Sequence, residues 1–290
     1  MTATRARLDA ELVRRGLASS REQAGELVAA GRVAVAGQQA SKPATQVARD
    51  APITVADSAD RAYVSRGGYK LAGALEVFGG FRGVVPPGQH SSALVVAGRR
   101  CLDAGASTGG FTDVLLRAGA AHVVAADVGY GQLAWSLRTD PRVTVMDRVN
   151  VRTLEHVTPV PDLVVADLSF ISLTLVLPAL VACATPDADF VLLVKPQFEV
   201  GKGRVGAGGV VRDTQDRSAS IEKVCGAAGE LGLGVQGITA SPRPGPAGNV
   251  EYFVWLRRGA PPLDPVMVQR AIAGGPRGVR GDGSPRGKKD

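Results

Sequence analysis

The pattern of apolar and polar positions changes character along the chain. From residue 99 onward, short apolar runs such as GRRCLDAG alternate with amphipathic segments such as GFTDVLLRAGA. Apolar strands that alternate with helices are typical of a parallel sheet covered on both faces. The last two runs, GVQGITASP and VEYFVWLRR, have no helix between them, which predicts a closing antiparallel pair. The predicted fold class is therefore α/β, with a doubly wound sheet.

A smaller α+β domain is predicted in residues 1–60. Leu8, Leu12 and Val13 share one helical face, and a serine at position 19 or 20 caps a second helix that ends at Gly31. Short strands follow at RVAVAG and APITVAD. We predict a linker at 61–66, the main domain at 67–260 with an extended loop at 79–98, and a basic tail at 261–290.

The positive charge is concentrated near the two ends of the chain. The net charge is +7, with nine basic and seven acidic residues in 1–61 and six basic and two acidic residues in 268–290. Such a distribution suits a polyanionic partner such as nucleic acid. The Gly/Pro/Arg-rich tail has too little apolar surface to fold, which leaves a solvated end or a nonspecific phosphate-binding arm.

Several classes of protein are disfavoured by what the sequence lacks. No apolar run reaches the ~18 residues that span a bilayer, and the first residues lack the apolar segment of a secretory signal. The histidines are isolated and there is no C-x-x-C, which argues against zinc and a Ser-His-Asp triad. We predict a cytoplasmic protein without a membrane segment or a metal, whose cysteines are reduced, buried thiols. These cysteines are Cys101, Cys183 and Cys225.

A glycine-rich turn follows the first strand of the main domain in the string DAGASTGGF. Glycines let such a turn approach a ligand, and the next helix offers free N–H groups. The second strand ends at Asp127, where a carboxylate can accept both ribose hydroxyls of a nucleoside, and the third ends at Asp147. A P-loop is absent, and the turn is not the G-x-G-x-x-G of NAD-binding proteins. The predicted cofactor-binding residues are Asp103, Gly105, Ser107, Gly109, Gly110, Phe111, Asp127, Val128, Asp147 and Asp167.

Four charged residues are predicted to face one crevice at the carboxyl edge of the sheet. Asp167 and Lys195 end the fourth and fifth strands, Glu251 begins the last strand, and Lys70 lies on a helix before the sheet. A lysine takes a proton from a ribose hydroxyl only as the neutral amine, which desolvation and a second ammonium both favour. The carboxylates oppose that change, so we expect them to position the lysines and bind the ribose. Which lysine is the base stays open.

Two segments resemble known families. The D-x-G-x-S-x-G-G turn resembles the first motif of class I methyltransferases, which implies a Rossmann-like sheet and S-adenosylmethionine (SAM) as cofactor. Residues 5–57, with RLDAELVRRGLASSREQA and VAAGRVAVAG, resemble the S4 RNA-binding domain. The implied RNA-binding residues are Arg5, Arg14, Arg15, Arg21 and Arg32, to which we add Arg66.

The set of Lys70, Asp167, Lys195 and Glu251 resembles the K-D-K-E tetrad of FtsJ-type ribose 2′-O-methyltransferases. Together with VSRGGYKL, DLSFISL, LVKPQFE and PAGNVEYF, residues 5–258 resemble the TlyA family, also called hemolysin A-type rRNA methyltransferases. The resemblance implies SAM-dependent 2′-O-methylation of cytidine in 16S and/or 23S ribosomal RNA, with ribosomal subunits as partners. It also implies an effect on susceptibility to capreomycin-type antibiotics. A monomer is favoured.

Other interpretations stay open from the sequence. One alternative is a noncatalytic RNA-binding or ribosome-assembly factor, and another is a hemolysin. A third is an S4-bearing pseudouridine synthase, which is disfavoured because the glycine turn would have no function in it. The segment 201–209 is either a lid that contacts RNA or a connector. Phe170 and Phe198 stack on an extruded base or pack against neighbours.

Overall fold

The computed structural model describes residues 5–18, 20–29, 31–36, 38–55, 63–79 and 93–275. The chain divides into two compact units, Met1–Val64 and Ser65–Asp290, so the division falls within the predicted linker. Each unit has an apolar core of its own.

The first unit packs two helices against short strands. Leu8 and Leu12 are fully buried in its core, and Ser20 Oγ accepts a hydrogen bond from Gln23 N at 3.1 Å, which caps the second helix as predicted. Strands β1 and β4 form one antiparallel pair, and the order β3-β2-β5 forms a second sheet. The elements are β1 Arg5–Arg7, α1 Leu8–Arg14, α2 Arg21–Ala29, β2 Val33–Val35, β3 Gln38–Gln39, β4 Gln46–Ala48 and β5 Ile53–Val55.

The second unit is built on a seven-stranded sheet in the order β11-β12-β10-β9-β6-β7-β8. Its strands are β6 Arg100–Ala104, β7 His122–Asp127, β8 Val143–Asp147, β9 Leu163–Ala166, β10 Asp189–Val194, β11 Gly234–Ala240 and β12 Tyr252–Arg257. Its helices are α3 Arg66–Phe78, α4 Gly110–Arg117, α5 Trp135–Arg138, α6 Leu177–Ala182, α7 Pro196–Glu199, α8 Thr214–Glu230 and α9 Pro265–Gly274.

Strand direction in this sheet agrees with the pattern of the sequence. The strands β6 to β10 pair in parallel, whereas β12 is antiparallel to both β10 and β11. The strands β9 and β10 are buried along their whole length, because helices cover the sheet on both faces. The α/β class and the closing antiparallel pair are therefore confirmed.

One segment departs from the sequence predictions. Residues 265–274, assigned to the basic tail, form α9, whose start is capped by Asp264 and whose Val268 and Ala271 are buried one turn apart. Residues 93–98 of the predicted extended loop form neither helix nor strand, and they include the buried Leu94 and Val96. The rest of that loop, 80–92, and the end of the tail, 276–290, lie outside the described residues. Among the described helices, none combines the length and the apolar character needed to cross a membrane.

Candidate active site

A cavity of about 290 Å³ opens where β6, β9 and β10 end. Parallel strands bring their carboxyl ends to one edge of the sheet, and ligands of open α/β sheets bind outside that edge. Eight residues predicted from the sequence line this cavity. They are Arg66, Lys70, Gly105, Ser107, Gly110, Phe111, Asp167 and Lys195.

The predicted tetrad forms two ion pairs. Lys70 Nζ lies 2.6 Å from Glu251 Oε2, and Lys195 Nζ lies 2.6 Å from Asp167 Oδ1. Lys195 Nζ also donates to Ser169 Oγ at 2.9 Å. Both lysines are buried and both line the same cavity, so the structure brings the two amines together as expected. Their catalytic roles stay a prediction.

The sheet itself places these four residues. The parallel ladder between β9 and β10 ends at Ala166 and Leu192, and Asp167 follows β9 directly as Lys195 follows β10. Since β12 runs antiparallel to β10, the residue before its start, Glu251, lies at the same edge. Helix α3 turns Lys70 toward this edge on its buried face.

The glycine turn after β6 is shaped by close contacts with its neighbours. Gly105 has a φ of +86°, and a Cβ placed there would lie 2.6 Å from the carbonyl oxygen of Asp167. A Cβ on Gly110 would overlap Ser65 Oγ and lie 2.8 Å from Gly68 N. Only glycine lets the turn approach both β9 and α3. The result is a cradle of backbone at the start of α4, which fits the nucleoside and carboxylate parts of SAM.

Asp127 connects the turns that follow β6 and β7. Its Oδ2 accepts from Ser107 N at 2.8 Å and its Oδ1 from Gly129 N at 2.7 Å. Each carboxylate oxygen keeps lone-pair capacity for a ribose hydroxyl. Val128 beside it is exposed, whereas Gly109 lies against Leu133 and Leu137. Asp127 therefore orders the turn, and ribose binding is an additional role that stays predicted.

Gly109, Asp127 and Val128 do not line the cavity, and neither do two further predicted cofactor residues, Asp103 and Asp147. Asp103 is fully buried below the glycine turn, where its Oδ2 accepts from Thr112 Oγ1 at 2.7 Å and its Oδ1 has no partner among the described residues. Burial, reinforced by the nearby carboxylates of Asp167 and Asp127, raises the pKa of Asp103 to about 7. Asp147 pairs with Arg138 at 2.8 Å, and this hydrogen bond lowers the pKa of Asp147. Both support the surrounding structure, and direct cofactor contact stays a prediction.

The arginines of the first unit differ in their contacts. Arg14 and Arg15 both pair with the buried Glu11, at 2.5 and 2.8 Å, and this pairing, with Arg14 first, lowers the pKa of Glu11 to about 2. Arg15 also donates to the carbonyls of Ala51 and Arg49, at 2.8 and 2.6 Å.

The guanidinium of Arg15 therefore forms contacts within the first unit, whereas the side chains of Arg5 and Arg14 are exposed. Arg21 is exposed too and pairs with Asp9 at 3.0 Å, and Arg32 is half-buried. Arg66, grouped with these arginines from the sequence, belongs to the second unit and lines the cavity. RNA binding by each of the six stays a prediction.

Sequence reasoning missed several residues of the cavity wall. Ser169 accepts a hydrogen bond from Lys195, and the only feature of the sequence that could have indicated this role is its position two residues after Asp167. Arg243 lines the cavity from the loop before β12, with its guanidinium 5.4 Å from the ring centroid of Tyr69. Nothing in the spacing of the PRPGPAGN loop indicated this contact.

Comparison with protein families decides the relationship. Residues 63–258 match the model of the FtsJ-like methyltransferases, and residues 6–53 match the S4 domain. The chain belongs to the FtsJ-like methyltransferase family. The FtsJ-like match contains every residue that lines the cavity and also Glu251, and the S4 match covers α1 and α2.

Relatives from several bacteria share most of this FtsJ-like chain. It is 60% identical to the 16S/23S rRNA (cytidine-2'-O)-methyltransferase TlyA of Mycobacterium tuberculosis, over 94% of this chain and all of that protein. It is 35% identical to Hemolysin A of Brachyspira hyodysenteriae, over 85% of this chain and 98% of that one. A solved structure of a candidate hemolysin from Streptococcus thermophilus is 37% identical, with a TM-score of 0.68 over 94% of this chain and 96% of the other.

Proposed function

We propose that this FtsJ-like methyltransferase transfers a methyl group from SAM to the ribose 2′-hydroxyl of cytidine in ribosomal RNA, 16S and/or 23S. The observation that carries the proposal is that two buried lysines, each paired with a carboxylate, line one cavity beside the glycine turn. The relative named as a 16S/23S rRNA cytidine methyltransferase supports the choice of substrate. The resemblance to the TlyA family implies, in addition, an effect on susceptibility to capreomycin-type antibiotics.

Bound SAM supplies an electrophilic methyl group on a sulfonium, and no metal is needed. The chain's residues must hold the ribose hydroxyl in line with that methyl group and remove its proton. Lys70 is held by its contact with the fully buried Glu251, which does not itself line the cavity.

Lys195 has a more exposed partner, because Asp167 lies on the cavity wall. Asp167 Oδ1 pairs with Lys195 but accepts no hydrogen bond from the described residues, so a ribose hydroxyl in the cavity can donate to Asp167 beside the Lys195 amine. We therefore assign the proton transfer to Lys195, and the positioning of the ribose to Asp167 and Lys70.

The RNA substrate is also supported by features outside the ion pairs. Phe170 directly follows Ser169 of the cavity wall, is 90% exposed and has a φ of +65°. A bulky residue with positive φ is strained, and such strain clusters at ligand sites. Its ring lies 5.2 Å from that of Phe198, which leaves a face for an extruded base. The S4 unit supplies the second RNA contact, and we place a monomer on ribosomal subunits in the cytoplasm.

Transfer of tritiated methyl groups to isolated 30S and 50S subunits tests this proposal, with nuclease mapping of the labelled nucleotide. We expect label on a cytidine ribose with wild-type protein. Lys195→Ala should abolish transfer and leave SAM binding nearly intact. Lys195→Arg is the sharper variant, because arginine keeps the charge yet cannot accept the proton at neutral pH.

Two results would contradict the proposal. Wild-type transfer by Lys195→Arg would remove Lys195 as the base. RNA binding without any transfer by the wild-type protein in the presence of SAM would instead favour the noncatalytic assembly factor.

A further inference from the structure

Glu199 is a buried carboxylate outside the cavity, at the end of the short helix that Lys195 begins. Its Oε1 accepts from the backbone N–H of Leu173 at 2.7 Å, and its Oε2 accepts from Ser172 Oγ at 2.5 Å. Both donors belong to the segment that follows Asp167. Glu199 thus joins the chain after β10 to the chain after β9.

The charge of Glu199 is balanced locally. Lys223 of α8 places its Nζ 3.5 Å from Glu199 Oε2 and donates to the Glu199 carbonyl oxygen at 2.9 Å. Two hydrogen-bond donors and a nearby ammonium satisfy the oxygens of this buried carboxylate within the fold. The carboxylate therefore acts as a fixed crosslink between the two segments.

The position of this crosslink matters because the sheet stops just before the reactive residues. The ladder between β9 and β10 ends with Ala166 opposite Leu192, so Asp167 and Lys195 both lie beyond its last pair. Beyond the last ladder pair, the segment after β9 and the segment after β10 contact each other through side chains. Lys195 bonds Ser169, the ring of Phe198 contacts that of Phe170, and Glu199 bonds Ser172. Glu199 makes the last and most buried of these three contacts.

We propose that Glu199 is a positioning residue for methyl transfer, whose carboxylate fixes the segment 169–173 against Lys195 and thereby sets the Asp167–Lys195 contact. This inference rests on the proposed function, because it assigns Glu199 to the same reaction. Since Glu199 does not line the cavity, its loss should change the rate of transfer rather than the affinity for SAM. A displacement of about 1 Å in such a site lowers the rate by up to roughly 100-fold.

Single-turnover methyl transfer to ribosomal subunits, at saturating SAM, tests the role of Glu199. We expect Glu199→Ala to lower the rate roughly 10–100-fold while the Kd for SAM stays within about twofold. Glu199→Gln should recover most of the rate, because its amide can accept from Leu173 N and donate to Ser172 Oγ. The matched control is Glu222→Ala on α8, which removes an exposed carboxylate that also binds a serine hydroxyl, at 2.7 Å from Ser218 Oγ.

Ser172→Ala provides a second route that does not depend on the folding of the Glu199 variants. It removes one of the two donors, so we expect a loss of a few-fold in rate, and no additional loss when it is combined with Glu199→Ala. A wild-type rate in Glu199→Ala, or in Ser172→Ala if Glu199→Ala does not fold, would overturn the proposal. So would a parallel loss of rate and SAM affinity that Glu199→Gln does not restore. Absence of transfer by the wild-type protein would refute the proposed function instead.

Discussion

Gly105→Ala is the substitution for which the structure makes the sharpest prediction. At φ +86° the new side chain lies in the left-handed region, and its Cβ lies 2.6 Å from Asp167 O and 3.2 Å from Asp167 C. Those atoms belong to the backbone of a residue that binds Lys195, so they cannot move aside without moving the ion pair. We expect both stability and methyl transfer to fall.

The cost of the backbone strain at Gly105 can be separated from the cost of the steric overlap with a control at the other end of the same strand. Gly98, before β6, has a φ of +77°, and among the described residues no heavy atom lies within 4 Å of the position that a Cβ would take there. Gly98→Ala should therefore cost only the conformational strain, about 1–2 kcal/mol. Gly105→Ala adds an overpacking cost of about 1–3 kcal/mol. The expected losses in the free energy of unfolding are thus about 1–2 against about 2–5 kcal/mol.

Urea unfolding of the two variants measures these losses, and single-turnover transfer measures the consequence for the site. We expect Gly98→Ala to keep the wild-type rate when folded, and Gly105→Ala to lose most of it. If the two variants lost equal stability and both transferred methyl groups at the wild-type rate, the close approach of the turn to Asp167 would be wrong, and so would its role.

Three further predictions concern Asp103, Asp127 and the S4 unit. Burial raises the pKa of Asp103 to about 7, so between about pH 4 and pH 7 the folded state keeps a proton that the unfolded chain releases. The wild-type protein should therefore lose stability as pH rises through that range. Urea unfolding across the same range should show no such loss for Asp103→Asn. Asp127→Ala should weaken SAM binding in calorimetry, since each lost charge-assisted hydrogen bond contributes ~1.5–3 kcal/mol, and an unchanged Kd would exclude ribose binding there. Deletion of residues 1–60 should lower rRNA affinity more than SAM affinity, and equal rRNA binding would contradict the role of the S4 unit.

The strands of the sheet and the residues at their ends could be predicted from the sequence, because they follow from the local pattern of apolar positions. The buried strands β9 and β10 are continuous apolar runs, and the residue after each strand marks the carboxyl edge of the sheet. That rule places Asp167 and Lys195 side by side from the sequence alone. It also places Glu251 at the same edge, because the closing pair had to be antiparallel.

The parts that depend on a specific partner could not be predicted in this way. The sequence shows that Glu199 is acidic, but only the fold shows that Ser172 and Leu173 donate to it. For Asp103 too, the sequence shows only that the residue is acidic, and only the fold shows that it is fully buried below the glycine turn. Periodicity reports which face of an element is apolar, and it carries no information on which polar groups meet across two loops.

Those polar contacts share one function in the architecture. Asp127 ties the turns after β6 and β7, Glu199 ties the segments after β9 and β10, and Asn249 bonds Val211 N and Gly209 O at 2.9 and 2.8 Å, close to Glu251 in the chain. Each of these side chains forms hydrogen bonds to a loop beyond the last ladder pair, where the sheet no longer fixes the backbone. Because opening of a loop would break these hydrogen bonds, they restrain the backbone beyond the sheet. The carboxyl edge is therefore held in order by its own side chains before any RNA arrives, which is the condition for aligning a ribose hydroxyl with a methyl group.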